Sequence, residues 1–217
     1  SISFEDMLEM ASYGAKMDPR SIELGMVYNI PLVVASSTGS VSGTLIHEDN
    51  DMESNVGEIR NRVIGIATDT NVAKITVLGI KDSPGMAANL FEPLSNAGVS
   101  VDVIVQNASV AGKTDLTFTV NRADLKVALE IVETMSTSIG SHGVISADNL
   151  AKISIVGTGI QNAPGYASKM FHTLAKASIN IEMITTSEIR ITCIIDQRKI
   201  GVAARSLHDA FQLETTV

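Results

Sequence analysis

One stretch of this chain is written twice. "SPGMAANLFEPLSNAGVSVDVI" at residues 83–104 is matched by "APGYASKMFHTLAKASINIEMI" at residues 163–184, with the Pro-Gly, the helix-like middle and the apolar end in step. A repeat of this length constrains the fold more than any other feature, because each copy must build the same unit and bury the same apolar face.

The first copy opens with the β-branched strand "KITVLGI" at Lys74 and continues through the turn and helix "SPGMAANLFEPLSNAG". "VSVDVIVQN" is a second strand and "TDLTFTV" a third, with Leu116, Phe118 and Val120 alternating onto one face. "RADLKVALEIVETM" is a helix with Leu125, Ala128, Leu129 and Val132 on one side, and "HGVISA" closes the unit. The second copy runs "KISIVGTG", "APGYASKMFHTLAKAS", "INIEMITTS", "IRITCII" and "KIGVAARSLHDAFQ", then ends at "LETTV" without a sixth element. A spare strand, "NRVIGIATD", stands before the first copy. The economical solution is that Val63–Ala67 completes the second sheet, so the first unit is inserted into the second. The expected fold class is α+β: two ferredoxin-like βαββαβ domains, each with an antiparallel sheet carrying two helices on one face.

Ahead of the repeat, "SISFEDMLEMASYGAK" reads as a helix with Ser3 and Asp6 in capping-box relation, and Phe4, Met7, Leu8 and Ala11 at helical spacing. "DPRSIELGMVYN" reads as another, capped by Asp18 with Pro19 at its first position. "IPLVVASS" and "GTLIHE" are strand-like, and the acidic "DNDMESNVGE" is a linker. The expected boundaries are 1–48 for this leading segment, 49–60 for the linker, 61–72 for the strand completing the second domain, 73–148 for the first domain and 149–217 for the second.

At 217 residues the chain has room for two small cores. A net charge of −8 and no basic stripe argue against nucleic acid or an anionic membrane as partner. Cys193 is the sole cysteine, which excludes an internal disulfide. No apolar stretch approaches the ~20 residues of a membrane span, and the first residues lack a signal-peptide layout. A cytoplasmic location is expected, and the Ser start inside a helix-like run reads as a fragment of a longer protein.

The repeated turn carries the chemistry. Pro suits a helix entrance, Gly lets the backbone turn tightly, and the first-turn amides behind them point outward with the positive end of the helix dipole. Such a place suits a small carboxylate, and the small residues that follow (Ala87 and Ala88; Ala167 and Ser168) leave the backbone reachable. The same dipeptide also serves simply to shape a β-to-α turn. Gln106–Asn107 and Thr185–Glu188 place polar groups after apolar strands, where they either open solvated turns or meet a ligand ammonium; Asp82 and Glu188 have the sign for the latter.

"KITVLGIKDSPGMAANLFEPLSNAGVSVDVIVQN" and "INIEMITTSEIRITCII…AARSLHDAFQL" closely resemble the paired ACT domains at the C-terminus of aspartate kinases, over about residues 58 to 214. The opening "SFEDMLEMASYGAK", "PRSIELGMVYNIPLVV" and "SSTGSVSGTLI" resembles the tail of the amino-acid-kinase domain of that family, which assigns 1–48. This chain departs from the family's "GAKVLHPR" at "GAKMDPR", one residue shorter with Asp18 in place of His, so no nucleotide contact is carried onto Lys16 or Arg20. The resemblance implies feedback control of ATP-dependent aspartate phosphorylation, the first step of lysine, threonine and methionine biosynthesis. The implied effector is free lysine, threonine or both, bound where the first domain of one chain meets the second domain of its dimer partner. It places Asp82, Gly85, Met86 and Ala87 at the effector from the turn, with Gln106 and Asn107 beside it and Asn180 and Ile181 on the facing strand. Ser109, Ser187 and Glu188 flank a second pocket, and Tyr166 and Ala167 stand at the second helix entrance, where the tyrosine ring leaves open whether the pocket is accessible. The kinase domain of a full-length enzyme is the further implied partner.

The phosphate-binding and aspartate-binding motifs of the kinase are missing from this chain, and "GTGIQN" is too weak to replace them. No catalytic residue and no cofactor is therefore assigned to the chain, Mg-ATP belonging to the full kinase. The four histidines show no metal-ligand spacing, and Cys193 reads as a small buried hydrophobe. Two further readings compete with effector binding: a dimerisation module or small subunit without its own effector site, and an enzyme in its own right, which the missing motifs disfavour.

Overall fold

Lys74–Val77 and Leu116–Val120 are rich in β-branched and aromatic residues that alternate, and they become the centre of a sheet. The computed structural model describes residues 1–12, 14–39, 43–48, 63–109, 111–157, 160, 164–187 and 189–213. The linker expected over 49–60 and the site residue Glu188 lie outside them. The chain forms two units, one from Thr70–Ala151 and the other from the described residues of Ser1–Asp69 and Lys152–Val217.

The first unit contains the later part of strand β4 (Gly65–Lys81), helix α3 (Met86–Asn96), β5 (Val101–Gln106), β6 (Lys113–Val120), α4 (Leu125–Ser138) and the early part of β7 (Gly143–Val156). Its strands lie in the order β5-β6-β4-β7, with β6 antiparallel to both β4 and β5. Ile75, Val77, Leu116 and Phe118 from the sheet meet Leu90 and Leu94 of α3 and Ala128 and Val132 of α4, all buried. Phe91 sets its ring edge-on to Phe118 at 5.2 Å, a favoured aromatic geometry.

The second unit repeats this plan. The end of β7 leads to α5 (Tyr166–Lys176), β8 (Met183–Ser187), β9 (Arg190–Asp196) and α6 (Ile200–Phe211). The strands are ordered β4-β7-β9-β8, so the start of β4 supplies the fourth strand. At that junction the Ile64 N–H donates to the Val156 carbonyl at 2.8 Å. Ile153, Ile155, Met170, Leu174, Ile191, Cys193, Ile195, Ala203 and Leu207 close its core, joined by Val63.

One expectation needs correction. The short strand at "NRVIGIATD" and the strand at "KITVLGI" are one 17-residue strand, β4, and "HGVISA" is continuous with "KISIVG" in the 14-residue β7. No glycine or proline interrupts Ile66–Leu78, and Thr68, Thr70 and Val72 are β-branched, so nothing stops the ladder. Asn71, a residue with weak strand preference, turns its side-chain oxygen to the Arg122 N–H at 3.1 Å.

The leading segment carries β1 (Ile2–Ser3), α1 (Phe4–Ser12), α2 (Pro19–Val27), β2 (Leu32–Val34) and β3 (Thr44–His47), with the strands ordered β1-β3-β2. Ser3 Oγ accepts from the Asp6 N–H at 3.1 Å, and Asp18 caps α2 by accepting from the Arg20 N–H at 2.9 Å. Phe4, Ala11, Ile22 and Ile46 form its small core. The first of these helices starts where its Ser3 cap sets it and ends at Ser12, short of the "GAK" its sequence suggests, Gly14 taking a left-handed φ of +116°. Ahead of it Ile2 and Ser3 pair in parallel with Ile46 and His47.

Candidate functional site

The turn between β4 and α3 is shaped by Gly85, whose φ of +91° is left-handed backbone that L side chains avoid. It is the N-cap residue of α3 and offers no capping side chain; the Met86 N–H turns back to the Ser83 carbonyl at 3.3 Å, and the next amides of the first turn face outward. Gly85 and Ala87 are exposed, and a Cβ built on Gly85 would meet nothing within 4 Å. Met86, in contrast, is half-buried and packs against the first unit's core. Asp82 is exposed, and its N–H donates to the Gly112 carbonyl at 2.9 Å.

Strand β6 ties this turn to the end of β5. Its residues Lys113 and Thr114 pair with Lys81 and Ile80, while Leu116 pairs with Gln106. The Thr114 hydroxyl donates to the Asn107 carbonyl at 2.9 Å. Asp82 and Gln106–Asn107 therefore stand toward the same end of the sheet, two strand spacings or roughly 10 Å apart across the strands. Gln106, opposite Leu116, is set back along β6 from Asp82, opposite Gly112. Ser109 follows on the same exposed loop.

Behind the turn the sheet is bent. The β4–β6 register shifts between Val77 and Ile80, and the Gly79 N–H released by that bulge donates to Asp115 Oδ1 at 2.7 Å. His142 covers Gly79, and its Nε2 accepts from the Lys113 ammonium at 2.6 Å. Asp115 and Thr114 thus brace the turn, although neither stood out in the sequence. The one available signal was an acid at the strand position where the second copy has Arg190.

In the second unit Gly165 again caps its helix with φ +107°. Here Tyr166 and Ala167 are half-buried, and the Tyr166 ring stacks on Phe211 with centroids 6.2 Å apart. Lys169 Nζ lies 4.7 Å over the same Phe211 ring. Asn180 is exposed, with Nδ2 donating to Glu182 Oε1 at 3.4 Å, and Ile181 packs against the second core. Both precede β8, whereas Ser187 ends it, so the structure sets them at opposite ends of that strand. The Ser187 hydroxyl donates to Glu9 Oε1 at 3.3 Å. Burial pushes the Cys193 thiol up to about 12, which suits a packing role. Among the described residues no three His, Cys, Asp or Glu side chains gather as metal ligands, and no helix is long and apolar enough to cross a membrane.

A family model described as the ACT domain matches twice, at residues 75–135 and 153–211, each match starting in the first strand and ending in the second helix of one unit. The regulatory subunit of aspartate kinase from Thermus thermophilus, solved in ligand-free form, is 40% identical with a TM-score of 0.65, covering 69% of this chain and 98% of its own. The chain belongs to the aspartokinase regulatory ACT-domain family. An aspartokinase from Pseudomonas aeruginosa is 45% identical over 98% of this chain and 51% of its own length, and one from Corynebacterium glutamicum is 41% identical over 98% and 50%. The chain therefore spans about half the length of the curated relatives it matches. The aspartate kinase of Synechocystis, at 35% identity and a TM-score of 0.71, covers 99% of this chain, including the leading segment. The two ACT repeats share a backbone plan but differ at their turns, open in the first and lined by a packed tyrosine in the second.

Proposed function

We propose that this chain is the feedback-inhibition part of an aspartate kinase, acting in the cytoplasm. Free lysine, threonine or both bind at the first ACT repeat and thereby control ATP-dependent phosphorylation of L-aspartate by the kinase domain. The single observation that carries this reading is the open turn at Gly85, with exposed backbone beside exposed Asp82 and Gln106 at one sheet end. The effector's carboxylate takes the outward amides of the first turn of α3, that of Ala87 among them, a helix N-terminus being suited to an anion. Its ammonium lies toward the carboxylate of Asp82 and the side-chain carbonyls of Gln106 and Asn107.

The chain pairs with a second copy through the ACT sheets, which brings the partner's second repeat to the first repeat's site. The edge strands support this: β5 and β8 end the strand orders of their units, and each exposes an isoleucine, Ile104 at 51% and Ile184 at 46%. Asn180 and Ile181 then act from across the dimer, and Ser109, Ser187 and Glu188 flank a second pocket. Mg-ATP is used by the kinase domain of the full enzyme and not by this chain.

A second reading, dimerisation without effector binding, is favoured at one place only, where Tyr166 packs onto Phe211 and fills the second turn. Calorimetric titration of the chain with the twenty amino acids separates the two. Saturable heat from lysine or threonine is the expected result, and a dimer that gives heat with neither leaves only the dimerisation module.

A further inference from the structure

The two repeats place opposite charges at one equivalent strand position. Leu116, Phe118 and Val120 of β6 and Ile191, Cys193 and Ile195 of β9 are the matching buried faces, which sets Asp115 against Arg190. In the first repeat the acid turns inward to its own bulge, accepting from the Gly79 N–H. In the second repeat the equivalent glycine, Gly157, donates instead to the Ile189 carbonyl at 2.8 Å. That substitution of backbone for side chain leaves position 190 available for another partner, and the partner comes from the leading segment.

Arg190 Nε meets Glu9 Oε1 of α1 at 2.7 Å, with the arginine side chain 9% exposed and the glutamate 22%. The Ser187 hydroxyl donates to the same carboxylate oxygen. Two neighbouring contacts hold the same helix down. The Met10 methyl presses on Gly65 so closely that a Cβ there would stand 2.8 Å from it, and beyond the helix Gly14 lies against the Thr68 carbonyl. Both Gly65 and Thr68 belong to the part of β4 that completes the second repeat. The helix therefore touches the second repeat at two places: the β8–β9 hairpin through Glu9, and the inserted strand through Met10.

We infer that Arg190 is a positioning residue that clamps α1 onto the second ACT repeat, making this helix the arm through which the repeat acts on the segment ahead of it. A largely buried arginine–carboxylate ion pair is suited to this, because removing either partner strands the other charge. An exposed pair would be screened and worth little. The clamp itself stands on geometry alone; its role as an output arm rests on the effector reading above.

Hydrogen exchange of the 217-residue chain tests the clamp. In E9Q and R190K the amides of α1 should exchange roughly tenfold faster than in the parent, while those of α3 and β5 in the first repeat stay unchanged. The swap E9R/R190E should restore part of the protection. Unchanged α1 exchange in E9Q and R190K overturns the clamp, as does a rise spread equally over α5 and α6, which reports general loosening. If R190K fails to fold, E9Q decides alone.

The second arm adds lysine or threonine, whichever binds. The expected result is an altered α1 exchange rate in the parent that E9Q abolishes while effector affinity stays within about twofold, a split that a purely structural role does not produce. A response that survives E9Q overturns the output role. Absence of binding by either amino acid overturns the proposed function instead, and the clamp is then judged by the first arm.

Discussion

Gly85 and Gly165 each hold a left-handed turn that any other L-residue strains to adopt. Neither would crowd a neighbour if a Cβ were added, so Gly→Ala at either position isolates backbone strain from packing. We expect each to cost about 1 kcal/mol, the left-handed penalty less the entropy gained by restricting the unfolded chain, read from urea midpoints. Gly85→Val adds bulk beside the amides, and effector affinity should fall at least roughly tenfold, while Gly165→Val leaves it within about twofold, since Tyr166 already packs at that turn. Equal losses from the two valines would contradict the distinction drawn between the repeats.

Cys193 makes a pH prediction of known sign. Its thiol ordinarily ionises near 9.0 and is pushed up to about 12 by burial, so the folded state holds its proton where the unfolded state releases it. Stability from this group is fully present below pH 9 and declines as pH rises from about 9 to 12. The Cys193→Ala chain should lack that component of the alkaline decline, and the parent thiol should resist disulfide reagents at pH 8 until the chain is unfolded. Rapid labelling of the folded chain at pH 8 would contradict the burial.

At the scale of elements, the caps were legible because they are local: Ser3 and Asp18 satisfy amides two or three residues on, and the sequence shows both partners at once. Asp18→Ala should lower stability by about 1 kcal/mol in thermal melts. The repeat order and the completion of the second sheet were legible for a similar reason, since one strand too many and one too few leave a single economical solution. Strand ends were not. A sequence without a stop signal does not say where one strand yields to the next, and β4 and β7 run on through both units. The bulge at Gly79 was also hidden, because its brace, Asp115, lies on another strand and looks like an ordinary solvated position. Asp115→Ala should cost about 1 kcal/mol by removing the Gly79 acceptor and should loosen the amides of Lys81–Ser83 in exchange measurements. Of the candidate site, the turn and the end of β5 could be read directly, whereas Glu9 against Arg190 needed the fold, being far apart in sequence.

At the scale of the whole molecule, two copies of one plan do different work. The first repeat keeps its turn open and braces it from behind; the second packs an aromatic pair at its turn and grips α1. On this account the chain senses with one repeat and holds its output helix with the other, and the chain alone should release no ADP from Mg-ATP and aspartate. The most direct measurement is a backbone amide spectrum of the labelled chain titrated with lysine and with threonine. The account predicts saturable shifts centred on Gly85, Met86, Ala87 and Gln106 with at least one of the two. Shifts confined to the second repeat's turn at Gly165–Ala167, or none with either amino acid, would contradict it.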